Sequence, residues 1–329
     1  MQELDLSQLE ACAADVDAAA ERTPDVDAFC SSTSWILPAS AALMPPGSPW
    51  LFRDGAGYAV LMRRDHQGLR CVEPLEAGWG LACPLLGTEP AKIVSAFADL
   101  CGRRQAEWDV LLLCGIPRDS ALLDHLVRSF GARYPLRLGP TTTRHVASLA
   151  GGLDGFLSRR SRGLRKGLRK AQRQARALGI GFEHHQPAGE REVEAIYERI
   201  LDVEARSWKG LSGSGIVAPE MREFYRLMLR RLARAGRQRT LFAVHEGQDV
   251  GYVMGGVLGG TYRGLQFSFD ADYGELALGN LCQIEAITAL CEQGCREYDL
   301  GTGLSYKQRW AETGRESVSL LVLHPHTVT

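Results

Sequence analysis

The chain states one order of secondary-structure elements twice, and that order limits the fold more than any other feature. Between 49 and 74, PWLFRD, GYAVLMRR and GLRCVEP read as three short strands, with turns at Gly55, Gly57 and DHQG. A glycine-rich loop follows, then a helix in EPAKIVSAFADLCGRR, a buried strand in WDVLLLCG and a second helix near RDSALLDHLVRSFG. From 240 the order returns. TLFAVH, VGYVMGGVL and TYRGLQFSFD are three strands joined at EGQD and GG. Next come a glycine-bearing loop, a helix in LALGNLCQIEAITALCEQG and a strand in CREYDLG. A short helical stretch around YKQRWAE and a last strand in SVSLLVLHP end the series. Two α/β domains of similar topology are expected, at 1–150 and 151–329.

Three helices are expected between the two halves. The first, over 154–178, has Leu164, Leu168, Ala171, Ala175 and Leu178 on one side and bases around the rest. The second, EREVEAIYERILDVEARSW, carries Val193, Ile196, Tyr197 and Ile200 as its apolar stripe. The third starts at Pro219 and stops at Gly236, following the N-terminal-proline, C-terminal-glycine habit.

Charge is unevenly spread. Residues 1–30 carry eight acids against one arginine, whereas residues 159–176 carry nine bases and no acid. A block of that sign points first to a solvated face and second to a polyanionic or phosphorylated ligand. The acidic N-terminus is unlike a secretory signal, so a cytoplasmic location is expected. Apolar runs are strand-sized, so no membrane span is expected. None of the nine cysteines falls in a CxxC pair, so no zinc or other metal site is expected.

Several residues carry candidate chemistry. Glu204 falls on the same helical face as Val193, Tyr197 and Ile200, just before SWKG, and burial there suits a general base. A buried acid paired with an arginine is the structural alternative. The following LSGSGIVAP reads as a flexible connection before it reads as a phosphate cradle. Gly274 and Gly279 separate a strand from a helix beginning near Asn280, an arrangement able to receive a pyrophosphate. In DLGTGLSYKQRW, Asp299 ends a strand, Tyr306 is a candidate proton donor and Lys307 a candidate anion holder. There the alternative has Tyr306 and Trp310 packed inward with Lys307 and Arg309 in water. His184 and His185 sit on a strand with no acid or cysteine at metal-ligand spacing.

These motifs resemble the Gcn5-related N-acetyltransferase (GNAT) superfamily, and within it the CelD/BcsL-like and FemABX-like tandem branch. The residues concerned are DGFLSRRSRGLRKGLRKAQRQARALG, EARSWKG, the Gly279-initiated helix ending in EQG, and YDLG followed by YKQRWA. The resemblance spans about 150–325, and the N-terminal half looks like the degenerate partner domain of tandem members. It implies two GNAT-like domains, each a mixed, mostly antiparallel sheet flanked by helices.

The resemblance also implies acyl transfer from a thioester to an amine of a small molecule or peptide. The strand GLQFSFD would splay from its neighbour, and the backbone around Phe267, Ser268 and Phe269 would polarise the acyl carbonyl. Glu204 would deprotonate the amine, Tyr306 would protonate the leaving group, Lys307 would contact substrate and Asp299 would orient that pair or bind the amine. Trp208 and Lys209, with Arg165 and Arg169 of the basic helix, are expected at the substrate. No permanently bound cofactor is implied; acyl-CoA or an acyl carrier protein would be co-substrate. One departure stands out: the usual Q/R-x-x-G-x-G/A cradle is replaced by DYGELALGN. Two other functions fit the same fold, a FemABX-type ligase using aminoacyl-tRNA and a binding protein without chemistry.

Overall fold

The structure, a computed structural model, describes residues 1–213, 215–303 and 305–327. They form two compact units: Met1–Thr143 together with the stretch from Glu316, and Arg144–Arg315.

The first unit opens with β1 (Gln2–Leu4) and four helices, α1 (Leu6–Ala11), α2 (Ala13–Arg22), α3 (Ala28–Ser31) and α4 (Thr33–Ala42). These helices were not anticipated, because short, Ala- and Ser-rich segments give weak periodicity. The three expected strands follow as β2 (Ser48–Asp54), β3 (Gly57–His66) and β4 (Leu69–Pro74), all antiparallel. After the two-residue β5 (Leu85–Leu86) come α5 (Pro90–Arg103), β6 (Val110–Pro117), α6 (Ala121–Gly131) and β7 (Leu136–Leu138). β6 lies parallel to β4, with Cys71 opposite Val110 and Val72 opposite Leu111. Trp50, Phe97, Trp108 and Phe130 fill the core between the sheet and its helices.

The second unit begins in β8 (Thr142–Ser148), α7 (Gly152–Ser158), α8 (Arg162–Ala177) and β9 (Gly181–His185). The single basic helix expected over 154–178 is thus two. Arg159 and Arg160 interrupt it by turning back onto Glu312, and Ser161 caps the new helix through Leu164 N–H. Leu168, Ala171 and Ala175 are buried as expected, whereas Leu178 lies past the helix end and is exposed. Then come α9 (Glu190–Arg206), α10 (Trp208–Leu211), α11 (Pro219–Arg234), β10 (Gln238–His245), β11 (Gln248–Leu258), β12 (Thr261–Phe269), α12 (Leu278–Glu292) and β13 (Glu297–Thr302). The sheet order is β8-β13-β12-β11-β10-β9, antiparallel except for the β12–β13 pair. The hairpin turns Glu246–Gly247 and Gly259–Gly260 have positive φ at both residues, the backbone that a two-residue turn matching the strand twist requires.

Both units are therefore mixed, mostly antiparallel sheets flanked by helices, as expected. The last strand, β14 (Thr313–Leu323), does not close the second sheet. Its part from Ser317 onward pairs with β6 and β7 of the first unit, while the place beside β13 is taken by β8. Both sites suit an apolar strand, so composition alone gives no preference. Among the described residues, no helix is long and apolar enough to cross a membrane.

Candidate active site

β12 and β13 are partners only from Thr261 opposite Glu297 to Arg263 opposite Asp299. Beyond that point each strand carries one extra residue. Gly264 and Gln266 oppose Gly255 and Met254 of β11, which leaves Leu265 without a partner in that ladder. Likewise Asp299 and Gly301 oppose Val146 and His145 of β8, leaving out Leu300. A bulge bends its strand and increases local twist. Two bulges at one level turn β12 and β13 apart.

A cavity of about 440 Å³ lies in the opening, and Leu265 and Leu300 both line it. Aromatic walls come from Phe267, Phe269, Tyr298 and Tyr306, with the Phe267 and Tyr306 rings edge-to-face. Trp208, 62% exposed, stands at the rim. Lys209 and Lys307 reach in from different segments. Lys209 Nζ donates to the Phe267 carbonyl at 2.8 Å and to Gln266 Oε1 at 3.3 Å. Lys307 Nζ donates to the Thr302 carbonyl at 2.6 Å. Burial lowers both ammonium groups, Lys307 to about 8, with the Arg263 guanidinium adding to its shift. Burial pushes the Tyr306 hydroxyl up to about 12.

Glu204 is fully buried and sits next to the wall rather than on it. Tyr252 donates its hydroxyl to Glu204 Oε2 at 2.9 Å, and burial beside that carboxylate raises the tyrosine well above its ordinary value. Glu204 Oε1 has no hydrogen-bond partner. It points at Gly215, where a Cβ would lie 2.5 Å from it. Ser207 fixes the chain here by accepting from Gly210 N–H and donating to the Glu204 carbonyl, so that Lys209 is directed into the cavity. Ser214, within the Gly/Ser loop, and Leu304 lie outside the described residues.

Of the residues singled out from sequence, Trp208, Lys209, Phe267, Ser268, Phe269, Tyr306 and Lys307 converge on this cavity. Lys307 is half-buried at the cavity rather than in water, and Trp310 packs inward against Phe156. Others sit elsewhere. Asp299 is buried behind the wall, where Arg144 and Arg263 both bond its Oδ2 and Gly301 N–H its Oδ1. A carboxylate so committed has no capacity left for an amine. Gly274 lies in an exposed 3₁₀ turn. Helix α12 starts at Leu278, and Gly279 is needed for packing, because a Cβ there would lie 2.8 Å from the Phe267 ring. The Asn280 N–H is already bonded to the Ala277 carbonyl. Arg165 and Arg169 stand on α8, away from the cavity lining. Sequence reasoning missed Tyr252 and Gln283. Both look like ordinary members of an apolar strand and helix, and no local signal marks them.

Comparison with known proteins agrees with this geometry. A family model described as the Acetyltransferase (GNAT) domain matches residues 162–310. That stretch holds α8 to β13 and every residue of the cavity. The chain carries a GNAT domain. FemX superposes with a TM-score of 0.65 at 10% identity, covering 93% of this chain and 95% of its own. A conserved protein of unknown function from Bacteroides thetaiotaomicron VPI-5482 gives 0.64 at 9% identity over 95% and 97%. The C-terminal domain of a putative lysylphosphatidylglycerol synthetase from Agrobacterium fabrum gives 0.57 at 14% over 95% and 93%. These likenesses extend over both units and concern the fold. No curated protein matches the sequence.

Proposed function

We propose that this protein is an N-acyltransferase that moves an acyl group from a CoA thioester to an amine of a small molecule or peptide. The observation that carries the reading is the cavity opened by the paired bulges in β12 and β13, inside the matched GNAT domain. A thioester lying there brings its carbonyl against the β12 backbone near Phe267–Phe269, whose N–H groups stabilise the oxyanion. The amine loses its proton to Glu204 Oε1 through an intervening water, since Glu204 stands just behind the wall. The Tyr306 hydroxyl, its proton tightly held by burial, returns a proton to the departing thiolate. Lys307 holds the substrate, and Asp299 acts on it from a distance by anchoring Arg263. An acyl carrier protein as donor has no observation of its own in support.

A second reading keeps the site and changes the donor to aminoacyl-tRNA. It is favoured by helix α8, whose Arg162, Lys166, Arg169, Lys170, Arg173 and Arg176 are all exposed, and by the fold likeness to FemX and the lysylphosphatidylglycerol synthetase domain. A thermal-shift series with free CoA, acetyl-CoA, octanoyl-CoA, palmitoyl-CoA and charged tRNA separates the two. A ligand at about 100 times its dissociation constant adds about 2.7 kcal/mol, enough to raise the midpoint visibly. A rise with CoA thioesters that exceeds the rise with CoA supports the first reading. A rise with charged tRNA alone replaces it by the second, and no rise with any of them removes both.

A further inference from the structure

The chamber between β12 and β13 has a one-sided polarity. Its charged lining consists of two lysines, Lys209 and Lys307, and no carboxylate. Both ammonium groups bond neutral oxygens, the carbonyls of Phe267 and Thr302 and the amide of Gln266. Two more polar side chains line the same space, Ser268 and Gln283, only 3% and 4% exposed. Ser268 Oγ and Gln283 Nε2 have no hydrogen-bond partner. A buried donor left unmade costs about 1–3 kcal/mol, so such a pair is expected only where a ligand completes it.

The charges behind the wall do not balance the lysines. Asp299 is bonded by Arg144 and Arg263, and Glu204 by Tyr252, with Lys209 near enough to feel its charge. Four cations thus face two carboxylates. The rest of the wall is aromatic or aliphatic, which keeps the local dielectric low and strengthens any interaction with an incoming anion.

We propose that the chamber is built for a substrate bearing a carboxylate, which sits between Lys209 and Lys307 and accepts hydrogen bonds from Ser268 Oγ and Gln283 Nε2. A carboxylate supplies about four acceptor positions, enough for these donors. Its charge relieves the repulsion between the two ammonium groups. A neutral aliphatic chain of the same length would leave all four groups as they are. The inference rests on the acyl-transfer reading only for where the carboxylate is carried, on the acyl group or on the amine.

Titration calorimetry on the full chain, with two matched pairs of probes, tests it. Succinyl-CoA is set against butyryl-CoA, and, with free CoA present, phenylalanine against phenethylamine. The expected result is at least a tenfold tighter binding of the carboxylate member in one pair. A preference within the first pair puts the carboxylate on the acyl group, within the second on the acceptor. Lys307→Met is expected to reduce the advantage below threefold and Lys307→Arg to retain most of it, which separates charge from folding. Equal binding within both pairs overturns the proposal and leaves acyl transfer standing. If no CoA thioester binds, the acyl-transfer reading falls instead, and the amine pair alone decides on the carboxylate.

Discussion

The two units place a parallel strand pair at the same point in their topology and make opposite use of the gap beyond it. In the first, β4 and β6 part after Val72 and Leu111; in the second, β12 and β13 part after Arg263 and Asp299. Each departing strand has a glycine with positive φ two residues past its last partnered level, Gly115 and Gly301. In the first unit the chain fills the gap itself. Gly80–Cys83 runs against β6, Gly115 N–H bonds the Gly80 carbonyl at 3.0 Å, and Leu81, Ala82 and Cys83 are buried. In the second, nothing of the chain enters, and the space is the 440 Å³ chamber. The difference also reaches the buried acids. Glu73 is bonded by Arg64 in the first unit, whereas Glu204 in the second keeps one oxygen without a partner. One fold thus serves as a closed scaffold and as a site, according to whether a backbone segment occupies the strand opening.

The largest effects expected are on the two buried acids, and they differ in kind. Glu204→Gln is expected to lower kcat about 10³-fold, within the worth of a general base, with a melting midpoint close to that of the wild type. Glu73→Gln is expected to leave kcat unchanged and to cost about 3 kcal/mol in urea unfolding, because it strands the Arg64 charge in the interior. If the two changes had the same signature, the contrast between the units would collapse. Tyr306→Phe comes next, with about a 10²-fold loss of kcat for a group acting as general acid; a normal rate would return Tyr306 to the wall.

Alanine at the two glycines sharpens the comparison further. A Cβ at Gly115 would lie 2.3 Å from the Leu81 carbonyl oxygen, whereas at Gly301 its nearest neighbour is Arg263 Nε at 3.6 Å. Gly115→Ala is therefore expected to cost about 3 kcal/mol and Gly301→Ala about 1 kcal/mol, the latter from backbone strain alone. Equal losses in urea unfolding would mean that the Gly80–Cys83 segment is not packed as described.

The smallest effect is on pH dependence. Lys307 is held at about 8 against an ordinary 10.5. Its charged form is the one that binds an anion, so kcat/KM is expected to fall above about pH 8, and Lys307→Met to lose that limb. The sign for stability is the reverse. From pH 8 to 10.5 the unfolded chain holds the proton that the folded one has lost, so this residue makes the protein more stable as pH rises.

Much of this contrast was legible in the sequence, and some was not. The turns at DHQG, EGQD and GG mark the three-strand blocks because positive-φ pairs have few alternatives there. The placement of Tyr306 and Lys307 at a cavity was legible too, through the resemblance of YKQRWA. The burial of Glu204 followed from helical spacing. By contrast, the plug at Gly80–Cys83 reads like any glycine-containing loop, since its role depends on a strand met thirty positions later. Asp299 looked like a site acid because its two arginines, Arg144 and Arg263, are distant in sequence. The bulges at Leu265 and Leu300 leave no mark at all, as each is defined by its partner strand.

The path of β14 sets a timetable for synthesis. The unit that holds the chamber is one unbroken stretch, Arg144–Arg315, and has all its residues once Arg315 has emerged from the ribosome. The first unit, although translated earlier, must wait for Ser317–Leu323 before β6 gains its antiparallel neighbour. Until then β6 presents an open, apolar edge, the kind of surface on which nascent chains aggregate. The half encoded first is the half completed last.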